Sequence, residues 1–145
     1  MRRYAETTRV PVEKSRIEIE RVLVRYGATS FGTMTEPDKA TIYFKLKNRE
    51  LQWTIPMPTP KVGKSEQETR RRWRVMLITM KAMIESVESG LLSFDEAFLA
   101  HIVVPGKALT LGAMLVPKLN DLYQGLSLPA LLAGESVTLG GGAGG

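Results

Sequence analysis

Two runs of strict alternation, separated by four polar residues, constrain this chain more than any other feature. Ala40, Ile42, Phe44 and Leu46 alternate with Thr41, Tyr43 and Lys45, and Leu51, Trp53, Ile55 and Met57 alternate with Gln52, Thr54 and Pro56. A period of two sends successive side chains to opposite faces of a pleated strand, so each run reads as half-buried β-structure. Lys47-Asn-Arg-Glu50 between them is a short polar turn in which Asn48 can take positive φ. A weaker run, Thr29 to Met34, stands ahead of a second turn at Glu36-Pro-Asp-Lys39. The result is a three-stranded antiparallel meander. Its apolar face needs a cover, because so small a sheet gains its stability by packing against something.

The cover is written on both sides of the sheet in a period of 3.6. Val10-Pro-Val12 reads as extended, because Pro11 biases the residue before it away from the helical region. Ser15 and Glu18 have capping-box spacing, Ile19, Val22, Leu23 and Tyr26 form one stripe, and Gly27 supplies a left-handed stop. This predicts a first helix over about Arg16 to Tyr26. Pro56, Pro58 and Pro60 end the sheet and put the third strand at an edge. Lys61-Val-Gly-Lys64 follows as a basic linker. Ser65 and Glu68 then form a second box that opens the longest helix. Its stripe runs through Trp73, Met76/Leu77, Met80, Met83/Ile84 and Val87 to Gly90.

A third box, Ser93 with Glu96, starts a short helix to about Ile102. Pro105-Gly106 is a turn, and Thr110 caps a last helical stretch to about Tyr123. Pro117 should kink or divide that stretch. Residues 1–132 therefore read as a single α+β domain: N-terminal helix, meander, long helix, and two to three shorter C-terminal helices packed on one sheet face. Residues 133–145, glycine-rich and without period, read as a disordered tail. The expected core holds Ile19, Leu23, Tyr26, Ile42, Phe44, Trp53, Ile55, Leu77, Met80 and Ile84.

Function is bounded first by what is missing. There is no cysteine and one histidine, His101, so thiolate and two-histidine metal sites are excluded. Glu36-Pro-Asp38 has the look of a nuclease element, but no Asp/Glu-x-Lys follows to complete it, and no phosphate-binding glycine motif is present. The expectation is a non-catalytic protein with no cofactor and no metal. No run approaches the roughly 18 apolar residues of a membrane span, and MRRYAETTRV has no apolar stretch of a signal peptide. A cytoplasmic setting without membrane contact is the expected one.

The net charge of +5 is unevenly spread. Residues 61–81 hold seven Lys/Arg against two Asp/Glu, whereas residues 82–145 hold two against six. Within the basic segment lies TRRRWRVMLITMK, residues 69–81, where arginines crowd the early turns of a helix. Glu66 with Arg70 and Glu68 with Arg72 are i, i+4 pairs, and Arg71 and Arg74 have no partner at that spacing. Positive charge near a helix N-terminus opposes the helix dipole. Two readings therefore stand side by side, a solvated helix face and a ligand-facing patch.

For the second reading the favoured ligand is nucleic acid, single-stranded or unspecific, since the arginine fork suits phosphate. Lys61, Lys64, Arg70, Arg71 and Arg74 would form the patch. Tyr43 and Lys45, on the strand face opposite the core, would add stacking and charge in the manner of single-strand binders. The alternative is a protein-interaction factor that modulates an enzyme, guided by the same charge asymmetry.

Three stretches, VPVEKSRIEIERVLVRYGA at 10–28, RRRWRVMLITMKAMIESVESG at 70–90 and FLAHIVVPGK at 98–107, together resemble a family of small proteins encoded by bacteriophages and prophages. The likeness spans most of residues 4–132, and the linker at 58–66 is short for the family. The resemblance carries no catalytic residues. It implies a viral protein in a bacterial cytoplasm, acting on phage genome metabolism or on a host enzyme, for example as an anti-defence inhibitor or adaptor.

Overall fold

The computed structural model describes residues 11–58 and 64–133. Their order is α1 (Val12–Tyr26), β1 (Ser30–Glu36), β2 (Lys39–Leu46), β3 (Arg49–Pro56), α2 (Lys64–Glu88), α3 (Phe94–Phe98), α4 (Leu111–Leu115), α5 (Leu119–Tyr123) and α6 (Leu128–Leu132). The class is α+β, with an N-terminal helix, a three-stranded antiparallel sheet in the order β1-β2-β3, a long helix and shorter C-terminal helices. No helix among the described residues is long and apolar enough to cross a membrane.

Both hairpins close on two-residue turns. Lys47 and Asn48 have φ of 51° and 61°, the pair of positive values that matches the twist of the flanking strands. The registers that follow are Ile42 opposite Trp53 and Phe44 opposite Leu51, with Phe31 and Thr33 across from Phe44 and Ile42 on the other side. Ala40, Ile42, Phe44 and Leu46 thus share one face, and all four are buried. Ile19 and Leu23 of α1 and Trp73, Leu77, Met80 and Ile84 of α2 pack on that face, and Tyr26 and Trp53 border it half-buried. α1 and α2 run side by side in the same direction. Val12 and Glu13 share a groove with Ser65 and Arg70, and Val22 and Tyr26 share one with Ile84 and Glu88.

Phe94 and Phe98 extend the core toward the C-terminus, and the Arg49 guanidinium grips Asp95 with two hydrogen bonds of 3.2 and 3.1 Å. The Ser93–Glu96 capping box is fully formed. Thr110 caps α4 through the Ala113 amide, and Pro117 falls in a 3₁₀ turn that separates α4 from α5. Gly112 lies against the turn at Leu99–His101 so closely that a Cβ would stand 2.7 Å from the Ala100 carbonyl oxygen. α4 can approach only because this residue has no side chain.

Several boundaries differ from the sequence expectation, among them the turn expected at 47–50, which narrows to Lys47-Asn48 as β3 starts at Arg49. α1 starts at Val12, not Arg16: extended Pro11 is its cap, its carbonyl accepts from the Lys14 and Ser15 amides, and Ser15 is fully buried one turn inside. Ser15 prolongs the Ile19–Leu23 stripe, and burial has overridden its capping pattern. α2 likewise begins at Lys64, so Ser65 lies within it, and the Glu68 carboxylate accepts from Arg71 and Arg72. The third helix ends at Phe98 in a 3₁₀ turn, after which Ile102 bridges Leu51 and the Val103 amide donates to the Glu50 carbonyl at 2.8 Å. Helix α6 was not anticipated. Ser127 caps it, with Pro129 in the first turn and Leu131 buried, a start signal legible in Ser-Leu-Pro. Of the tail expected at 133–145, Ala133 ends α6, its amide donating to the Pro129 carbonyl at 3.0 Å, and residues 134–145 lie outside the described residues.

Candidate nucleic-acid interface

Four arginines within five positions of a helix cannot face one way, because successive residues turn by about 100°. Arg70 meets Glu66 at 3.6 Å. Arg71 holds Glu68 through two bonds, Nη2 to Oε1 at 2.7 Å and Nε to Oε2 at 3.0 Å. Arg72 donates from Nε to the same Oε1 at 3.0 Å and from Nη1 to the Pro56 carbonyl at 2.7 Å, tying α2 to the end of β3. Arg74 reaches across to Glu18 of α1 at 3.5 Å. Hydrogen bonding by Arg71, then by Arg72, holds the Glu68 carboxyl down at about 2 against the opposing effect of burial.

The two arginines without an i, i+4 partner are therefore both engaged, Arg71 one turn back and Arg74 on the neighbouring helix. Their adverse position in the helix dipole, at roughly 0.3–1 kcal/mol each, is offset by these carboxylates. Arg70 differs in the setting of its contact: Glu66 is 85% exposed, whereas the Glu18 side chain that meets Arg74 is 25% exposed. Lys64 is the first residue of α2, and Lys61 lies outside the described residues.

Tyr43 and Lys45 stand elsewhere. Residues of β2 alternate, so with Ile42 and Phe44 beneath the helices, these two face the other side of the sheet. That side is open around Tyr43, which is 38% exposed, and Lys45, Met34 and Thr54 are exposed as well; Thr41 between them is buried, and at the β3 edge Gln52 and Thr54 share a hollow with Gly112 and Ala113 of α4. Gly32 and Ser30 flank the pair on β1, and Gln52 and Glu50 on β3. Together they line a shallow hollow of about 540 Å³. The expected site thus divides in two: the arginines belong to the helix layer, and Tyr43 with Lys45 to the opposite sheet face. Gln52, Gly32 and Ser30 were missed, although extending a two-residue turn at Lys47-Asn48 by pairs places Gln52 across from Tyr43.

His101 lies flat on the Trp53 indole, with ring centroids 3.6 Å apart and planes 10° from parallel. Burial lowers its pKa below the ordinary 6.5. A depressed pKa means that the unfolded chain takes up the proton first, so stability is complete above about pH 6.5 and declines as pH falls below it. The Glu68 carboxylate, lowered from 4.5 to about 2, acts in a separate window, its contribution being lost as pH falls below 4.5. The urea midpoint should fall between pH 7.5 and 5.5 in the wild type. His101→Phe, which keeps a ring on Trp53, should flatten that segment and leave the more acidic one unchanged. No group of three acidic or histidine side chains placed to hold a metal ion occurs among the described residues.

Compared with known proteins, the chain matches no family model, no curated sequence and no solved structure.

Proposed function

We propose that this protein is a non-catalytic accessory factor that binds single-stranded nucleic acid on the open face of its sheet. The observation that carries the reading is the exposed pair Tyr43 and Lys45, an aromatic ring beside an ammonium at a shallow hollow edged by Gln52, Gly32 and Ser30. A base can stack on any aromatic face whatever its sequence, while a neighbouring cation takes the phosphate. The overall charge of +5 favours the encounter. Arg70 in the first turns of α2 is a second basic point, with Lys64 and Lys61 close to it in sequence. Arg71 is held by Glu68 of its own helix, and Arg74 ties α2 to α1 through Glu18. The resemblance to phage-encoded proteins supports a setting in the cytoplasm of a bacterial host, where genome metabolism exposes single strands.

Fluorescence anisotropy with random single-stranded oligonucleotides tests this. Binding should weaken with salt, Tyr43→Ala should weaken it at least tenfold, and Lys45→Gln should reduce the log–log salt slope by about 0.7. Arg71→Gln should leave the slope unchanged. Absence of wild-type binding at low salt would remove the proposal. One observation favours a second reading, a protein-interaction factor acting on a host or phage enzyme. The C-terminal helices leave Val116, Leu119, Tyr123 and Leu128 in water, with Tyr123 88% exposed. On that reading Tyr123→Ser abolishes recovery of a protein partner from expressing cells, and Tyr43→Ala does not.

A further inference from the structure

β1 is the outer strand of the sheet, and among the described residues nothing pairs with its far edge. Along an antiparallel strand the amide and carbonyl of successive residues face alternate sides. The two-residue turn at Pro37-Asp38 pairs Glu36 with Lys39, so Glu36, Met34 and Gly32 direct theirs to β2, whereas Phe31, Thr33 and Thr35 direct theirs outward. Natural edge strands are commonly guarded by lysine or proline. Phe31-Gly-Thr-Met-Thr35 contains neither.

We infer that β1 is a self-association edge, pairing antiparallel with β1 of a second copy about a two-fold axis at Thr33. This register overlaps the two strands fully, and it is complementary on three counts. Thr33 meets its own copy and Phe31 meets Thr35 of the second copy, and all of these have outward-facing backbone groups, so the ladder continues across the axis. Met34 of the second copy falls opposite Gly32. Met34 is 52% exposed and lies on the open face, and a Cβ added at Gly32 would meet nothing within 4 Å. The thioether therefore fills the space above Gly32 and reaches the Tyr43 ring, which stands across from Gly32 on β2. Glu36 of the second copy falls opposite Ser30, and over that short side chain it faces Lys45.

The helix layer agrees. α1 lies on the β1 side, with Val12 and Glu13 beside Thr35 and Glu36. Ile17 and Val24, a heptad apart and both more than half exposed, lie on the outer face of α1, roughly 140–160° around the helix from Ile19, and border the side turned away from α2. The occupant that fits this edge is another copy of the chain, and the open face would then continue across both.

Light scattering coupled to size exclusion tests this on the full chain without nucleic acid, so its failure is distinct from that of the binding proposal. At micromolar concentration the wild type should have twice the 16.1 kDa chain mass. Thr33→Pro removes an outward amide that β2 does not use, a place where edge strands accept proline. It should yield a folded monomer with an unchanged circular dichroism spectrum. Met34→Lys, a change at an exposed side chain that brings like charge toward Lys45, should raise the dimer dissociation constant at least tenfold, and it decides the matter if the proline variant misfolds. A monomeric wild type, or a dimer that persists in folded Thr33→Pro and Met34→Lys proteins, overturns the inference.

Discussion

Phe98→Ala should destabilise the protein by about 3–5 kcal/mol, the largest effect expected of a single side chain here. Phe98 is fully buried five residues after the Ser93 cap, where the C-terminal helices join the sheet. Its ring meets Phe44 and Trp53 edge-on, with centroids 6.3 and 6.5 Å away at 81° and 85°, and stacks on Phe94 at 5.0 Å. Those partners come from β2, β3 and α3, so no single element can close the cavity by shifting. The Trp53 indole supports His101 on one face, and loss of Phe98 should loosen that stack as well. Urea unfolding followed by tryptophan fluorescence measures the loss. A midpoint unchanged from wild type would mean that the C-terminal helices are not anchored through this ring.

The second large effect concerns the arginine run. Arg74→Met should cost about 1–3 kcal/mol, because it leaves the Glu18 carboxylate unpaired where its side chain is only 25% exposed. The sequence alone suggests the opposite sign, since removing positive charge from the early turns of a helix relieves a dipole conflict. The cross-helix partner decides it. Combining Arg74→Met with Glu18→Gln should recover part of the loss, and the double-mutant cycle isolates the pair. Arg70→Met is the control: Glu66 is 85% exposed, and exposed pairs of this kind contribute roughly 0–1 kcal/mol. Equal losses at Arg70 and Arg74 would contradict this division.

What was legible in the sequence was what local periodicity determines. The alternation at Ala40–Leu46 and Leu51–Met57, the stripe from Trp73 to Val87, the left-handed stop at Gly27 and the cap at Ser93 each depend on near neighbours, and each is present. The two displaced capping boxes have the same cause as one another. A serine three residues before a glutamate satisfies the pattern anywhere, and only packing decides whether the serine lies at the helix end or, like Ser15, in the core. The Arg74–Glu18 pair was not legible, because it depends on which helices become neighbours. The separation of Tyr43 and Lys45 from the arginines was implicit from the outset. If Ile42 and Phe44 face the helices, their alternating neighbours face away from anything a helix carries. What sequence could not supply was whether a second layer covers that far side; among the described residues it is open around Tyr43 and Lys45, while α4 reaches its β3 edge at Gln52 and Thr54.

Photo-crosslinking tests the binding role of that open face most directly. A single-stranded oligonucleotide bearing iodouracil, irradiated in complex with the full chain and mapped by mass spectrometry, reports the side chain against which a base stacks. The adduct should fall on Tyr43, in the segment of β2 between Lys39 and Lys45, and Tyr43→Ala should remove it. Adducts confined to Trp73, to Tyr123 or to the head of α2, with Tyr43 unmodified, would contradict the assignment of the sheet face as the binding surface.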